Sequence, residues 1–443
     1  MRYDGSDQFP KSKRWGTFYA ASVGWSIADE AFMASLREKD IINTLKLRAS
    51  YGEVGLDNWG SPYNIDRFAY LQTYGYNANQ YVINGTMMPG LYQNALASNE
   101  ITWFTSKQTD IGIDFASLGN RLSGSLDYFI YKTTGFLYSP DALKVGYTDP
   151  LGTSLPKVKT DGEQRRAGWE IQLNWRDKIG KVGYNVGFNF TYADKLWALN
   201  PAESLENKKN PYIRETQRKG AYGIMYHSLG FFKDNADIAA SAKPIGSSNL
   251  APGDLKYQDF NGDGIIDAQD RQYLGKNSFP RGIYGITLGA KYEGFSLDLL
   301  FQGSTRFDAY LGDSMMMTSS SAGYSPRYDF QLDYWTKNNT NARFPRLLSQ
   351  PSDNGGNNQL TSDFWLINGA YFRMKDIRLT YDFKHSLLKK VTWITRCQAV
   401  VSGQNIFTIS KMTKYGLDPE NASMNSYSYP VERSFSFGFN IGF

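Results

Sequence analysis

The chain has 443 residues, which is enough for two or three soluble domains or for one large β-barrel. Its net charge of +5 is weak and no run of Lys or Arg stands out, which excludes a nucleic-acid-binding surface. The single cysteine excludes an internal disulfide, and two histidines leave little for imidazole catalysis.

Aromatic residues make up 15% of the chain. Tyr and Trp combine an apolar ring with a polar tip, so they suit the rims of a membrane protein. An aromatic-rich β-sandwich that binds glycans fits the composition equally well. No stretch approaches the roughly 18 consecutive apolar residues of a membrane-spanning helix, although a spanning β-strand needs only about 9–11 residues.

Alternation of apolar and polar residues is the dominant pattern along the chain. It is clearest at Trp169–Arg176, where the apolar residues are Trp169, Ile171, Leu173 and Trp175. The pattern predicts about eleven strands, near 15–27, 43–53, 103–117, 121–137, 164–176, 183–198, 281–292, 295–306, 371–383, 391–409 and 433–443.

The connections between these strands alternate in length. The joins after the third, fifth and seventh strands are tight, at 118–120, 177–182 and 293–294. The long connections are 54–102, 138–163, 199–280, 307–370 and 410–432. Short turns at one end and long loops at the other are typical of an outer-membrane barrel, whose long loops lie outside the cell. Such barrels have even strand numbers, so about eleven strands indicates part of a larger barrel.

The long loops contain one set of candidate sugar-stacking residues. These are Trp59, Tyr63, Tyr74 and Tyr76, all in connection 54–102. Their rings could stack on sugars, and packing inside the loop is an equally good interpretation. No GxSxG, HExxH or Walker lysine is present, so the sequence does not indicate an enzyme.

Loop 199–280 contains a pattern with the spacing of a calcium-binding loop. Its predicted oxygen ligands are Asp259, Asn261, Asp263, Ile265 through its carbonyl, Asp267 and Asp270. Gly264 falls at the sharp turn, and Asp270 stands where a calcium hand has Glu. The alternative is a series of turns in which Asx side chains cap their own backbone. We expect Ca²⁺ to bind and to rigidify this loop.

The last predicted strand ends on an aromatic residue. Its apolar face is formed by Phe435, Phe437, Phe439, Ile441 and Phe443. The final strand of outer-membrane barrels is similar, and the barrel assembly machinery reads it as a signal. A soluble protein would expose the same residues as an aggregation-prone edge strand.

Several further segments carry a recognisable pattern, and they run through the chain in this order: Arg2–Ser6, Arg14–Gly16, Ser22–Trp25, Leu45–Gly52, Pro252–Tyr257, Asn261–Gly264, Tyr371–Lys375, Ser402–Phe407 and Leu417–Glu420. Together they resemble the SusC and RagA family of TonB-linked outer-membrane proteins.

The resemblance implies an all-β fold, namely the C-terminal part of an antiparallel transmembrane β-barrel that carries a plug. It implies a location in the Gram-negative outer membrane, in contact with its lipid. It also implies import of oligosaccharides or peptides, with a SusD-like surface lipoprotein and the TonB complex as partners.

The plug, the TonB-contacting segment and a signal peptide are absent from residues 1–443, so we expect the biological start to lie upstream of Met1. Residues 1–443 would then contribute barrel wall and loops. The alternative function is a secreted or surface β-protein that is stabilised by calcium and binds glycans.

Overall fold

The computed structural model describes residues 1–58, 60, 63, 65–94, 96–140, 142–143, 155–312, 328–421 and 431–443. Its largest sheet contains eleven strands, and each strand pairs with its neighbours in chain order. The strands are β1 (Ala20–Ser26), β2 (Ile42–Leu56), β3 (Phe104–Ser117), β4 (Leu122–Thr134), β5 (Glu163–Ile179), β6 (Val182–Leu199), β7 (Gly282–Tyr292), β8 (Phe295–Thr305), β9 (Tyr371–Asp382), β10 (Arg396–Ser410) and β11 (Ser434–Gly442). The order begins at β1 and ends at β11. All eleven predicted strands are therefore confirmed.

The largest differences from the predicted strand boundaries are at the starts of β1 and β10, which each begin five residues later than predicted. Residues Trp15–Phe18 leave the first predicted strand and pair with Arg2–Gly5 in a separate hairpin. The tenth strand begins at Arg396, and upstream of it the Trp393 ring stacks on the ring of Phe443. In both places the alternating pattern runs on beyond the residues that form the strand.

The predicted tight turn at Glu293-Gly294 is confirmed. Tyr292 pairs with Phe295 across it, and both turn residues have positive φ, 42° at Glu293 and 89° at Gly294. Two consecutive positive φ angles produce the two-residue hairpin turn whose twist matches that of the flanking strands.

The long connections are themselves folded. Antiparallel two-stranded sheets are formed by Tyr74–Ile83 with Thr86–Gln93, Leu137–Tyr138 with Val158–Lys159, Gly223–Met225 with Gln272–Leu274, Ser228–Phe231 with Leu255–Tyr257, and Asp308–Tyr310 with Leu366–Asn368. Lys243–Pro244 and Ile265–Ile266 pair in parallel.

Helices are short and also lie in the connections. In the part of the chain that the structure describes, the α-helices are α1 (Ala34–Glu38), α2 (Leu205–Lys209) and α3 (Asn235–Ala240). The 3₁₀ helices are Ile27–Asp29, Ala31–Met33, Ala268–Asp270, Asp329–Leu332, Pro351–Asn354, Asn357–Gln359, Asp363–Trp365, Phe383–His385 and Met412–Tyr415. Within the described ranges, none of these helices has the length and apolar character needed to cross a membrane.

The chain divides into two compact units. Unit 1 comprises residues 1–116, 125–169 and 193–219, and unit 2 comprises residues 117–124, 170–192 and 220–443.

Each unit has one buried cluster, formed mainly by loop residues. The aromatic cluster of unit 1 consists of Phe9, Ile65, Ile101, Phe104, Phe136, Leu137 and Tyr138. The loop core of unit 2 consists of Leu255, Tyr257, Ile266, Ala309, Leu311, Phe344, Trp365, Ile367 and Met412. Burying these side chains removes apolar surface from water and stabilises the loops.

The strands of unit 2 present one continuous apolar face. Residues that stand opposite each other across neighbouring strands point to the same face. One such row contains Tyr184, Ala290, Leu297, Leu379, Val401 and Phe437. The adjacent row contains Asp298, Arg378, Ser402 and Ser436 and points to the opposite face. The sheet is thus apolar on one side and polar on the other.

Candidate functional site

The polar face of unit 1 contains a cluster of one arginine and three aspartates. The Arg48 guanidinium, on β2, donates to both carboxylate oxygens of Asp114 (2.8 and 3.1 Å) and to Asp127 (2.6 Å), and its Nη1 lies 3.7 Å from Asp110. Alternation puts these side chains on the face opposite Leu47 and Ile111. Three carboxylates around one cation leave a net negative charge in this cluster.

A cavity of about 310 Å³ lies beside this cluster. It is lined by residues 20–22 of β1, by residues 50–52 of β2 and by Gln108, Asp110 and Tyr131 from β3 and β4. The polar face of unit 1 can therefore accept a hydrogen-bonding solute next to a carboxylate.

The four aromatic residues proposed to stack on sugars are placed differently from one another. Tyr63 packs edge-on against Phe136, Tyr138 and Trp197, with ring centroids 5.1–6.1 Å apart. Tyr74 and Tyr76 are 64% and 69% exposed on the strand Tyr74–Ile83. Trp59 lies outside the described residues. The structure thus places Tyr63 within the loop packing, and sugar stacking by Tyr74 and Tyr76 stays a prediction.

A polar network in unit 1 runs beside the aromatic cluster. Tyr138 donates to the side-chain oxygen of Asn200 (3.2 Å), and the Asn200 amide donates to Glu215 (2.8 Å). The backbone amides of Glu215 and Thr216 donate to the carboxylate of Glu203. Burial raises the pKa of Glu215, and the negative charge of Glu203 adds to the rise.

We predict that Glu215→Gln reduces the pH dependence of this network. A carboxyl whose pKa is raised on folding contributes stability below its ordinary pKa of 4.5, and that contribution is lost as pH rises through the raised value. Wild-type unit 1 should therefore lose thermal stability from pH 4.5 upward relative to Glu215→Gln, as measured by Trp197 fluorescence. Glu206→Gln, at an exposed position nearby, is the control. Parallel pH profiles for wild type and Glu215→Gln would contradict this prediction.

Asp254 is the centre of a buried network in unit 2. Its side chain is fully buried and accepts hydrogen bonds from Arg346 (2.9 and 3.0 Å) and from the amides of Asn354 (3.0 Å) and Asn358 (2.9 Å). The backbone amide of Ala251 donates to it as well (2.9 Å). The preceding Gly253 has φ +93°, and a Cβ there would stand 2.4 Å from the Trp335 ring. The segment Pro252–Tyr257 thus joins loop 199–280 to loop 307–370.

The residues predicted to bind calcium form a series of Asx turns. The carboxylate of Asp259 accepts from the amides of Gly262 and Gly264, and Asn261 and Asp263 each accept from the amide two residues ahead. Gly264 has φ +84°, as its predicted place at the sharp turn requires.

Asp270 has a different environment from the rest of the calcium pattern. It is fully buried and accepts from the amides of Phe260, Asn261 and Asp267. Asp267 accepts from Gln269, and Ile265 is exposed. Among the described residues, no three Asp, Glu, His or Cys side chains converge closely enough to hold an ion. Calcium binding stays a prediction.

The last strand exposes the residues predicted to form the assembly signal. Phe435, Phe437, Phe439, Ile441 and Phe443 are 55–80% exposed, all on one face. Among the described strands, β11 stands at the end of the strand order and pairs with β10 alone. A strand at the edge of a sheet can act as a template with which a further strand pairs.

Arg373 joins two segments that the sequence analysis selected separately. Its side chain is 2% exposed and donates to Thr408 (2.8 Å) and Asp418 (2.6 Å), and its Nη1 lies 3.1 Å from Glu420. Lys375 also binds Glu420 (2.7 Å). The segments 371–375 and 417–420 therefore meet through ion pairs.

Sequence reasoning did not identify Arg48, Glu215, Asp254 or Arg373 as central residues. Their side chains form hydrogen bonds with other side chains that lie between 15 and 104 residues away along the chain. The segments that contain Arg48, Asp254 and Arg373 were selected because of their resemblance to a known family, and the segment around Glu215 was not.

Comparison with known proteins extends over the whole chain. The family model described as "TonB dependent receptor-like, beta-barrel" matches residues 1–235. TonB-dependent receptor P3 of Formosa agariphila is 28% identical over the full chain, and TonB-dependent receptor SusC of Bacteroides thetaiotaomicron is 27% identical. The chain covers 43% and 42% of these two proteins, so it spans less than half the length of the curated relatives it matches.

Solved structures show the same fold. A structure of the RagAB peptide importer in an open-open state aligns with 99% of the chain at a TM-score of 0.73 and 18% identity, and the match covers 44% of that importer chain. The named relatives are receptors and importers, and none is an enzyme. The resemblance to the SusC and RagA family is confirmed.

Proposed function

Because the chain belongs to the TonB-dependent receptor-like β-barrel family, we propose that it forms part of the wall of a transporter that imports oligosaccharides or peptides. The family is one of outer-membrane proteins, and the chain is accordingly an outer-membrane protein. A SusD-like lipoprotein outside the cell and the TonB complex would be its partners. RagAB is described as a peptide importer, which supports peptides as one class of cargo.

The observation that carries the proposal is the exposed apolar face of the sheet. Trp169, Leu379, Val401 and Phe437 are between 43% and 67% exposed and belong to the apolar face of their strands. A soluble protein would bury such a face or aggregate, whereas lipid solvates it without cost. The opposite, polar face would then line a wet lumen.

Aromatic side chains mark one end of these strands. Near the short turns, Trp175 donates to the Tyr184 hydroxyl (3.2 Å), and the rings of Phe295 and Tyr381 lie 4.4 Å apart. Trp393 stacks on Phe443 at 5.8 Å. Aromatic residues form girdles where a barrel meets the membrane interface. The short turns would therefore lie at the periplasmic side and the folded loops outside the cell.

Fractionation and uptake together test the proposed function. We expect the protein to sediment with outer membranes, to require detergent for purification, and to support uptake that stops when the proton gradient or TonB is removed. A protein that purifies from the medium without detergent would instead be the secreted glycan-binding protein. Uptake that is unchanged after removal of TonB would also contradict the proposal.

We predict that Phe443→Ala lowers the amount of protein in the outer membrane, because the barrel assembly machinery would read the aromatic end of β11. The measurement is the immunoblot signal of outer-membrane fractions against total protein. Phe279→Ala, which changes a 70%-exposed loop phenylalanine, is the matched control. Equal outer-membrane levels of the two variants would show that Phe443 is not part of an assembly signal.

We propose that Ca²⁺ stabilises the Asp259–Asp270 segment, because its oxygen-bearing side chains follow the spacing of a calcium loop. Millimolar calcium should protect this segment from proteolysis in the wild type and not in Asp263→Ala. Asp333→Ala, at an exposed position in another loop, should keep the protection. Calcium-dependent protection that survives in Asp263→Ala would count against the site.

A further inference from the structure

A second cavity on the polar face of unit 1 has the opposite charge to the Arg48 cluster. Its volume is about 250 Å³, and it is bounded by β3, β4, β5 and β6. The lining residues used below are Ser106, Thr133, Gln164, Arg166 and Lys195. The volume is below that of a drug-sized ligand site, so the cavity suits one sugar ring or one terminal residue of a chain.

Two cations face this cavity without an acidic partner. Arg166 and Lys195 are close enough to repel each other, and no described Asp or Glu lies within ion-pair distance of either. The neighbouring Arg165 differs, because it binds Glu163 at 3.1 Å. Glu215 attracts Lys195 from a greater distance, and its burial favours the neutral acid. Two adjacent cations without acidic partners favour the binding of an anion between them.

A buried amide points into the same cavity. The side chain of Gln164 is 6% exposed, and its Oε1 has no hydrogen-bond partner among the described residues. Buried polar atoms are nearly always hydrogen-bonded, and an orphaned one indicates a missing ligand or water. The hydroxyls of Ser106 and Thr133, both at least 90% buried, lie 3.5 Å apart beside it. The cavity thus offers neutral hydrogen-bonding groups next to two positive charges.

We propose that this cavity binds the carboxylate of an imported solute between Arg166 and Lys195, while Gln164 and the two hydroxyls bind the adjacent hydroxyl or amide groups. The proposal rests on the proposed import function and names the chemistry of the cargo. An acidic sugar and the C-terminus of a peptide both provide this combination of groups.

The test compares solutes that differ only in the carboxylate, using the protein purified in detergent from outer membranes. Trigalacturonate is paired with its methyl ester, and trialanine with trialanine amide, in calorimetric titrations at low salt. We expect one acid to bind at least about tenfold more tightly than its neutral counterpart, which corresponds to about 1.4 kcal/mol. Which acid is preferred identifies the source of the carboxylate.

Variants distinguish binding of the carboxylate in this cavity from general electrostatic attraction to the polar face. Arg166→Gln and Lys195→Gln should each remove most of the preference for the acid. Arg176→Gln, the same change further along β5 on the same face, should keep it. Gln164→Leu should weaken binding of the acid and of its neutral counterpart alike.

Three results would each overturn the inference. The acids and their neutral counterparts could bind with equal affinity, or none of the four solutes could bind. Arg166→Gln and Arg176→Gln could also reduce the preference for the acid equally. TonB-dependent uptake that continues without preference for acids would leave the proposed function standing while removing this inference. Uptake that does not depend on TonB would contradict both the proposed function and this inference.

Discussion

Asp254→Asn should lower the free energy of unfolding of the unit 2 loops by about 3–5 kcal/mol, the usual result of breaking a buried ion pair. The carboxylate is fully buried and receives bonds from Arg346, two asparagine amides and a backbone amide. An asparagine would turn an NH₂ group towards these donors and leave the Arg346 charge without its partner. The measurement is chemical unfolding in detergent, followed by hydrogen exchange at Leu255 and Tyr257.

A matched variant and a double variant make this result specific. Asp298→Asn makes the same chemical change at an exposed position on β8 and should cost less than about 0.5 kcal/mol. Arg346→Gln combined with Asp254→Asn should cost less than the sum of the single changes, because the two residues are in direct contact. Additive costs, or a single change no worse than Asp298→Asn, would show that the Asp254 network does not hold the loops together.

The eleven strands could be predicted from sequence because alternation is a local property. Each strand of the sheet repeats it over seven or more residues, and the turn at Glu293-Gly294 follows from its own two residues. Most of the small sheets in the loops could not be predicted this way, because their strands of two to four residues, such as Leu137–Tyr138, are too short to show a period. The longer hairpin of Tyr74–Ile83 and Thr86–Gln93 was also absent from the predicted strands.

The centres of the polar networks depend on residue pairings that sequence spacing does not encode. Asp254 meets Asn358, and Arg48 meets Asp114 and Asp127, only after the chain has folded. Tyr63 illustrates the same limit. Its sequence neighbourhood allowed a sugar-stacking ring or a packed one, and the deciding contacts come from Phe136 and Trp197 on distant segments.

Arg373→Gln should destabilise unit 2 by about 3–5 kcal/mol, because it removes the cation that lies between Asp418 and Glu420. The guanidinium is 2% exposed, so water cannot replace its bonds to Thr408 and Asp418. Lys375 would still bind Glu420, which leaves Asp418 as the uncompensated charge. Unfolding in detergent gives the free energy, and limited proteolysis at residues 411–421 reports whether the segment has detached.

Arg378→Gln is the matched control, because it makes the same change on β9 at an exposed position. Arg373→Lys should lose less stability than Arg373→Gln but more than Arg378→Gln, since an ammonium group cannot reproduce the three bonds of the planar guanidinium. Removing Asp418 as well, in Arg373→Gln with Asp418→Asn, should recover stability, because no buried charge is then left unpaired. If the double variant were less stable than Arg373→Gln alone, the cost would come from lost packing around the arginine stem, and the ion pair would not be what holds segment 417–420 against β9.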